Sequence, residues 1–157
     1  VQQPYNLAVP GGARSVPRGG AVYEVSHLQF VQGDALRGYG GVASPRAGRR
    51  LLARPMHAPT LPAQTPPGAP EGSVAVAADG SFAAFVPAGR AMSWQLTDPR
   101  GAPVVRERNW VSFVAGEIRL CPSCHGVNRA SQTGTPEVTN APAALRARLA
   151  AWAAAHP

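Results

Sequence analysis

MSWQLTDPRGAPVVRERNWVSFV, residues 92–114, decides the fold. Met92, Trp94 and Leu96 alternate with polar residues, the period of a strand with one buried face. Asp98-Pro99-Arg100-Gly101 supplies turn chemistry between two strand-like runs. The design occurs twice, because GSVAVAADGSFAAFVPA (72–88) sets Asp79-Gly80 between strand-like runs and reads as a hairpin. AVYEVSHLQFVQ (21–32) alternates as well. Tyr23, Val25, His27 and Gln29 fall on one face, and Val22, Glu24, Ser26, Leu28 and Phe30 on the other. RRLLARPMH (49–57) reads as a short strand cut off by Pro55.

The connections carry their own signals. Residues 1–20 are punctuated by Pro and Gly and read as irregular, and 33–48 read as a loop. HAPTLPAQTPPGAPEG (57–72) is too rich in proline to hold a ladder, and long loops in compact domains are often functional. Near the end, APAALRARLAAWAAAHP (141–157) reads as a helix. Asn140 is its expected N-cap, Pro142 falls in its first turn, and Leu145, Leu149 and Trp152 form one apolar stripe. The expected fold is mainly β, a small antiparallel sheet or sandwich of hairpins, with a C-terminal α-helix. One domain is expected over 1–157, with 1–120 as scaffold and 121–157 as a chemical segment plus helix.

Composition agrees with that class. Gly and Pro, 17 of each, favour short strands and loops over a helical bundle. No apolar run is long enough to cross a bilayer. The net charge of +7 is carried by arginine, scattered and without a basic run interleaved with aromatics. That pattern argues against nucleic acid and for an anionic cofactor group or an acidic partner protein. The chain opens on Val1, so it is expected to be a form with its signal peptide removed or a piece of a longer protein.

RLCPSCHGVN (119–128) holds the chain's two cysteines, Cys121 and Cys124, with His125 directly after them. Three chemistries share this core. A dithiol redox motif belongs on a helix N-terminus within a βαβ unit, and the upstream text here is hairpins. Structural zinc needs four ligands, and no second cluster with zinc spacing exists; His27, His57 and His156 stand alone. Cys-x-x-Cys-His is also the attachment pattern of a c-type haem, and this reading fits best. The two thiols reach the two vinyl groups of one porphyrin edge and form thioethers. The next residue then brings its imidazole to the iron, and Gly126 leaves room for the ring.

The stretch from Asp79 to Asn128 resembles the middle-domain family of the hydrazine synthase alpha subunit and related large bacterial haem proteins. Asp79-Gly80-Ser81, Val86-Pro87-Ala88, Gln95-Leu96, Gly101, Trp110 and Gly116-Glu117 precede Cys121 in that family's order. Ala115 stands where the family pattern has proline. The tail from Thr133 to Trp152 also resembles the stretch that follows the motif in some relatives. The resemblance implies that Cys121 and Cys124 attach haem and that His125 follows them as ligand. The family's enzyme uses a tyrosine shortly after the motif to hold iron. Here the position four beyond His125 is Arg129, and no tyrosine follows. That departure disfavours hydrazine-forming chemistry and favours ordinary proximal ligation by His125.

An electron carrier fills both axial positions of its iron, and the axial ligand sets its potential. Met56, His57, Met92, His27 and His156 are the candidates for the sixth ligand. Met92 reads as core and His156 as terminal. Met56 and His57 sit in RPMHAP, stiffened by two prolines, and are favoured; His27 is the runner-up. The function expected is a mono-haem c-type cytochrome passing single electrons in the periplasm or outside the cell. Its partner would be acidic, or further haem domains of a larger assembly, and Arg119 and Arg129 are candidates to meet propionates or that partner. The alternatives are an enzyme whose open iron acts on a small nitrogen or oxygen species and, third, a dithiol oxidoreductase.

Overall fold

The computed structural model describes residues 7–9, 12–14, 23–37, 49–119 and 142–156. Among the described residues, eight strands and one helix run in the order β1 (Leu7–Val9), β2 (Gly12–Arg14), β3 (Tyr23–Glu24), β4 (His27–Arg37), β5 (Arg49–Pro55), β6 (Ser73–Ala75), β7 (Ala91–Thr97), β8 (Pro103–Arg106) and α1 (Ala143–Ala155). The main sheet has the order β5-β4-β7-β8, and β6 pairs with β4. All its pairings are antiparallel. The expected class, mainly β with a small antiparallel sheet and a C-terminal helix, is what the molecule has.

β4 is the spine because it pairs along both of its edges. One edge takes all of β7, setting Leu28 opposite Leu96, Phe30 opposite Trp94 and Gln32 opposite Met92. The other edge is shared: β6 covers His27–Gln29 and β5 covers Val31–Arg37. The register puts Leu28, Phe30 and Met92 on one face, where they are buried with Met56 and Val74. Phe30 and Trp94 meet edge to face at 6.2 Å. Leu61, Phe82, Ala84, Val86 and Phe113 pack over this cluster. Burying each large apolar side chain contributes about 1.5–3 kcal/mol, so this one face supplies most of the local stability.

The β7–β8 hairpin closes where the sequence places it. Asp98 N–H donates to the Ala102 carbonyl, Gly101 N–H returns to the Asp98 carbonyl, and the Asp98 carboxylate accepts from Arg100 and Ala102 N–H. Beyond β8 the chain bows outward and rejoins β7, with Val111 and Met92 exchanging backbone hydrogen bonds.

Four expectations change. The Pro/Gly-rich start contains strands: β1 pairs antiparallel with β2 and parallel with β3. The strand expected over 21–32 breaks at Val25-Ser26, and β4 continues to Arg37 through residues read as loop. The Asp79-Gly80 hairpin has only one arm. Its turn forms, with Gly80 N–H on the Ala77 carbonyl, but β6 is spent on β4 and 82–86 forms no ladder. In α1, Pro142 occupies the N-cap position rather than the first turn, and no residue of the helix is buried. Leu149 is 51% exposed and Trp152 42%, so the expected stripe does not sink into the core. Asn140 lies outside the described residues.

Candidate functional site

The described chain approaches the cysteines through a built turn. Glu117 N–H donates to the Val114 carbonyl at 3.0 Å, and Gly116 between them has φ +78°. That positive φ at the third position belongs to a type II turn, which explains Gly116. It also explains the proline that the family pattern carries at position 115: the second residue of such a turn favours it. Glu117 then reaches back, accepting the Val114 N–H at 2.8 Å, and pairs with the Arg119 guanidinium, Nε at 2.7 Å. The Val114 N–H leads in holding the Glu117 carboxyl below its ordinary pKa, against desolvation that opposes it, with Arg119 adding to the lowering. Arg119 also lies 4.8 Å over the Phe113 ring. Arg119 is thus committed to Glu117 and Phe113. Cys121, Cys124, His125 and Arg129 lie outside the described residues.

Beyond those residues the chain returns to the same scaffold. Asp79 accepts the Ala143 N–H at 2.9 Å, and the Ser81 hydroxyl oxygen accepts the Ala144 N–H at 3.1 Å. Two orphan donors of α1 are therefore satisfied from another element, where Pro142 provides no side-chain cap. Burial opposes ionisation of Asp79, but hydrogen bonds from the Ser81 hydroxyl and from the Ala143 and Ser81 N–H groups outweigh it and lower its pKa. Trp152 lies 5.3 Å from Phe85, whose backbone is held on both sides by the Gln64 side-chain amide.

The candidate sixth ligands are dispersed. Met56 is buried in the main cluster with Phe30 and Val74, and Met92 is fully buried beside it. His57 follows Met56 on a cleft of about 320 Å³ that Leu61, Gln64 and Gly72 also line. Both of its ring nitrogens are engaged. Nδ1 lies 2.8 Å from the Pro55 carbonyl, which can only accept, so Nδ1 carries the proton. Nε2 is 3.2 Å from the Gln32 amide nitrogen and 3.3 Å from Asp34 Oδ2. Gln32 ties this corner together: it donates to Asp34 at 2.9 Å and accepts the His57 N–H at 3.1 Å. Arg54 faces the same carboxylate at 3.7 Å.

His27 stands on β4 opposite Thr97. Its Nδ1 and the Thr97 hydroxyl are both buried with no hydrogen-bond partner among the described residues. His156 stacks on Trp152 at 3.7 Å, with Nδ1 donating to the Trp152 carbonyl at 3.0 Å. Among the described residues, no three His, Cys, Asp or Glu side chains converge as a metal-holding group.

Sequence reasoning missed Gln32, Gln64 and the reach of Asp79-Ser81. Gln32 had a signal, a polar residue on the Leu28-Phe30 face of an alternating strand. The other two act across long separations and leave none.

A search of the curated proteins and one of the solved structures found no significant match. A scan against protein families matched residues 70–126, about a third of the chain. The match begins at the end of the Pro-rich loop, takes in the Asp79 turn, β7, β8 and the Gly116 turn, and ends one residue past His125; the tail lies beyond it. No helix of the described residues is long and apolar enough to cross a membrane. The family is described as the middle domain of a subunit, which fits a part of a larger assembly, and residues 70–126 are similar to that family, the hydrazine synthase alpha subunit middle domain.

Proposed function

We propose that this chain is a mono-haem c-type domain that passes single electrons, working in the periplasm or outside the cell. One observation carries the reading: Cys121-Pro122-Ser123-Cys124-His125 closes the stretch that matches a family known here by its middle domain. Cys121 and Cys124 would hold the haem through thioethers and His125 would be the proximal ligand. The haem supplies a one-electron couple, and the protein sets its potential through axial ligand, hydrogen bonds and burial. The excess of arginine favours an acidic redox partner or a neighbouring subunit.

A specific observation favours an open iron as a second reading. Apart from His125, every Met and His of the chain lies among the described residues. Met56 and Met92 are buried in the core, His57 has both ring nitrogens engaged, His156 is stacked on Trp152, and His27 Nδ1, without a partner among the described residues, is buried where β4 pairs with β7. Drawing Met56 out to an iron forfeits about 1.5–3 kcal/mol of burial. An iron left five-coordinate would bind a small nitrogen or oxygen species.

One experiment addresses both. The intact chain, matured with haem, is expected to give a c-type pyridine haemochrome and a mass raised by one haem. Colourless protein with two titratable thiols would overturn the reading. On pigmented protein, ready carbon monoxide binding by the ferrous form selects the open site, and refusal selects a six-coordinate carrier.

A further inference from the structure

We infer that Asp79 and Ser81 are positioning residues for the cysteine segment: they clamp α1 onto the β scaffold, so that the chain is fastened on both sides of residues 120–141. The inference deepens the proposed function, and it rests on that reading only in taking the cysteine segment as the bearer of haem.

The near side is fastened by Phe113, which packs over the core cluster and whose carbonyl accepts the Gly89 N–H, and the Val114–Glu117 turn and Arg119 are built onto it. The far side has less to hold it. α1 is 13 residues long and buries none of them. An isolated helix of that length is marginal in water, so its place must come from tertiary contacts. The described contacts are few and specific. Asp79 Oδ2 accepts the Ala143 N–H at 2.9 Å, Ser81 Oγ accepts the Ala144 N–H at 3.1 Å, and Trp152 leans on Phe85. Asp79 is itself stiffened, because its Oδ1 accepts both the Ser81 N–H at 3.0 Å and the Ser81 hydroxyl at 2.6 Å. The clamp is thus a preorganised acceptor pair aimed at the helix N-terminus, where anionic oxygen is favoured. It lies inside the matched stretch, and the helix it grips lies outside it.

The test removes one bond from either side. Ala143→Pro deletes the donor at the first helical position, where proline is tolerated, and Pro142 already has the extended ψ of 128° that a following proline requires. Asp79→Asn weakens the acceptor and leaves the helix unaltered. In the haem-loaded full chain, both are expected to speed tryptic cleavage at Arg146 and Arg148 about fivefold, the effect of losing one cap. Both are expected to shift the reduction midpoint or the Soret maximum while the haem stays attached. Unchanged cleavage in both variants overturns the clamp. Faster cleavage with an unmoved haem signal overturns the positioning role. Should the wild-type chain prove colourless, the haem reading falls, and the role toward a cofactor falls with it; cleavage still reports on the clamp.

Discussion

Gly72 sits where three backbones meet. Its carbonyl accepts the Phe30 N–H at 3.0 Å, at the point where β4 passes from β6 to β5. Its φ is +73°, and a Cβ there would lie 2.6 Å from the Met56 nitrogen and 3.0 Å from the Phe30 carbonyl oxygen. Left-handed backbone costs a non-glycine residue about 1–2 kcal/mol, and backbone atoms cannot yield as a side-chain tip would. Gly72→Ala is therefore expected to destabilise the fold by at least about 2 kcal/mol, read as a lower midpoint in urea at unchanged slope. A midpoint equal to wild type would show that the joint opens freely. In sequence this glycine is one of several flanking prolines, and nothing local separates it from Gly68, around which a Cβ meets no atom within 4 Å. His57 was visible as a ligand type and Met56 as its neighbour. Their engagement by Gln32, Asp34 and the core is set by cross-strand register, which a local window does not contain.

At the scale of elements, turn chemistry was the most legible signal and strand partnership the least. Asp98-Pro99-Arg100-Gly101 and Asp79-Gly80 both make turns, because the residues that form them are adjacent. Only the first has two paired arms, since β6 finds a better partner in β4 than in 82–86. Phe85, which the alternation assigns to a strand, satisfies its backbone on the Gln64 side chain, 21 residues away. The Val114–Glu117 turn offers a measurement at this scale. Ala115 occupies the position at which proline presets φ, and proline there acts by narrowing the unfolded ensemble. Ala115→Pro is expected to stabilise by about 0.4–1 kcal/mol, a rise of about 1–4 °C in Tm for a chain of this size. A fall in Tm would mean that the turn is not of type II.

For the whole molecule, the open question is how a β scaffold and an unburied helix stay together, and Asp79 makes that question one of pH. Its carboxyl titrates below its ordinary value because its hydrogen bonds favour the ionised form over the opposing cost of burial. A folded-state pKa lower than the unfolded one contributes stability that is fully present above the unfolded value, near 4, and is lost as pH falls through the folded one. Helix docking should therefore be unaffected by pH from neutral down to about 5 and weaken only in stronger acid. The amide protons of Ala143 and Ala144 report this directly, since their acceptors are Asp79 and Ser81. Their NMR shifts are expected to follow one titration with a midpoint below the usual aspartate range, and in Asp79→Asn that titration should vanish while the shifts move toward exposed values. A midpoint at the ordinary aspartate pKa, or shifts indifferent to the substitution, would place the helix elsewhere. The same measurement bears on the proposed cofactor segment, because the bond that titrates fastens the chain where it resumes after Cys121, Cys124 and His125 in sequence.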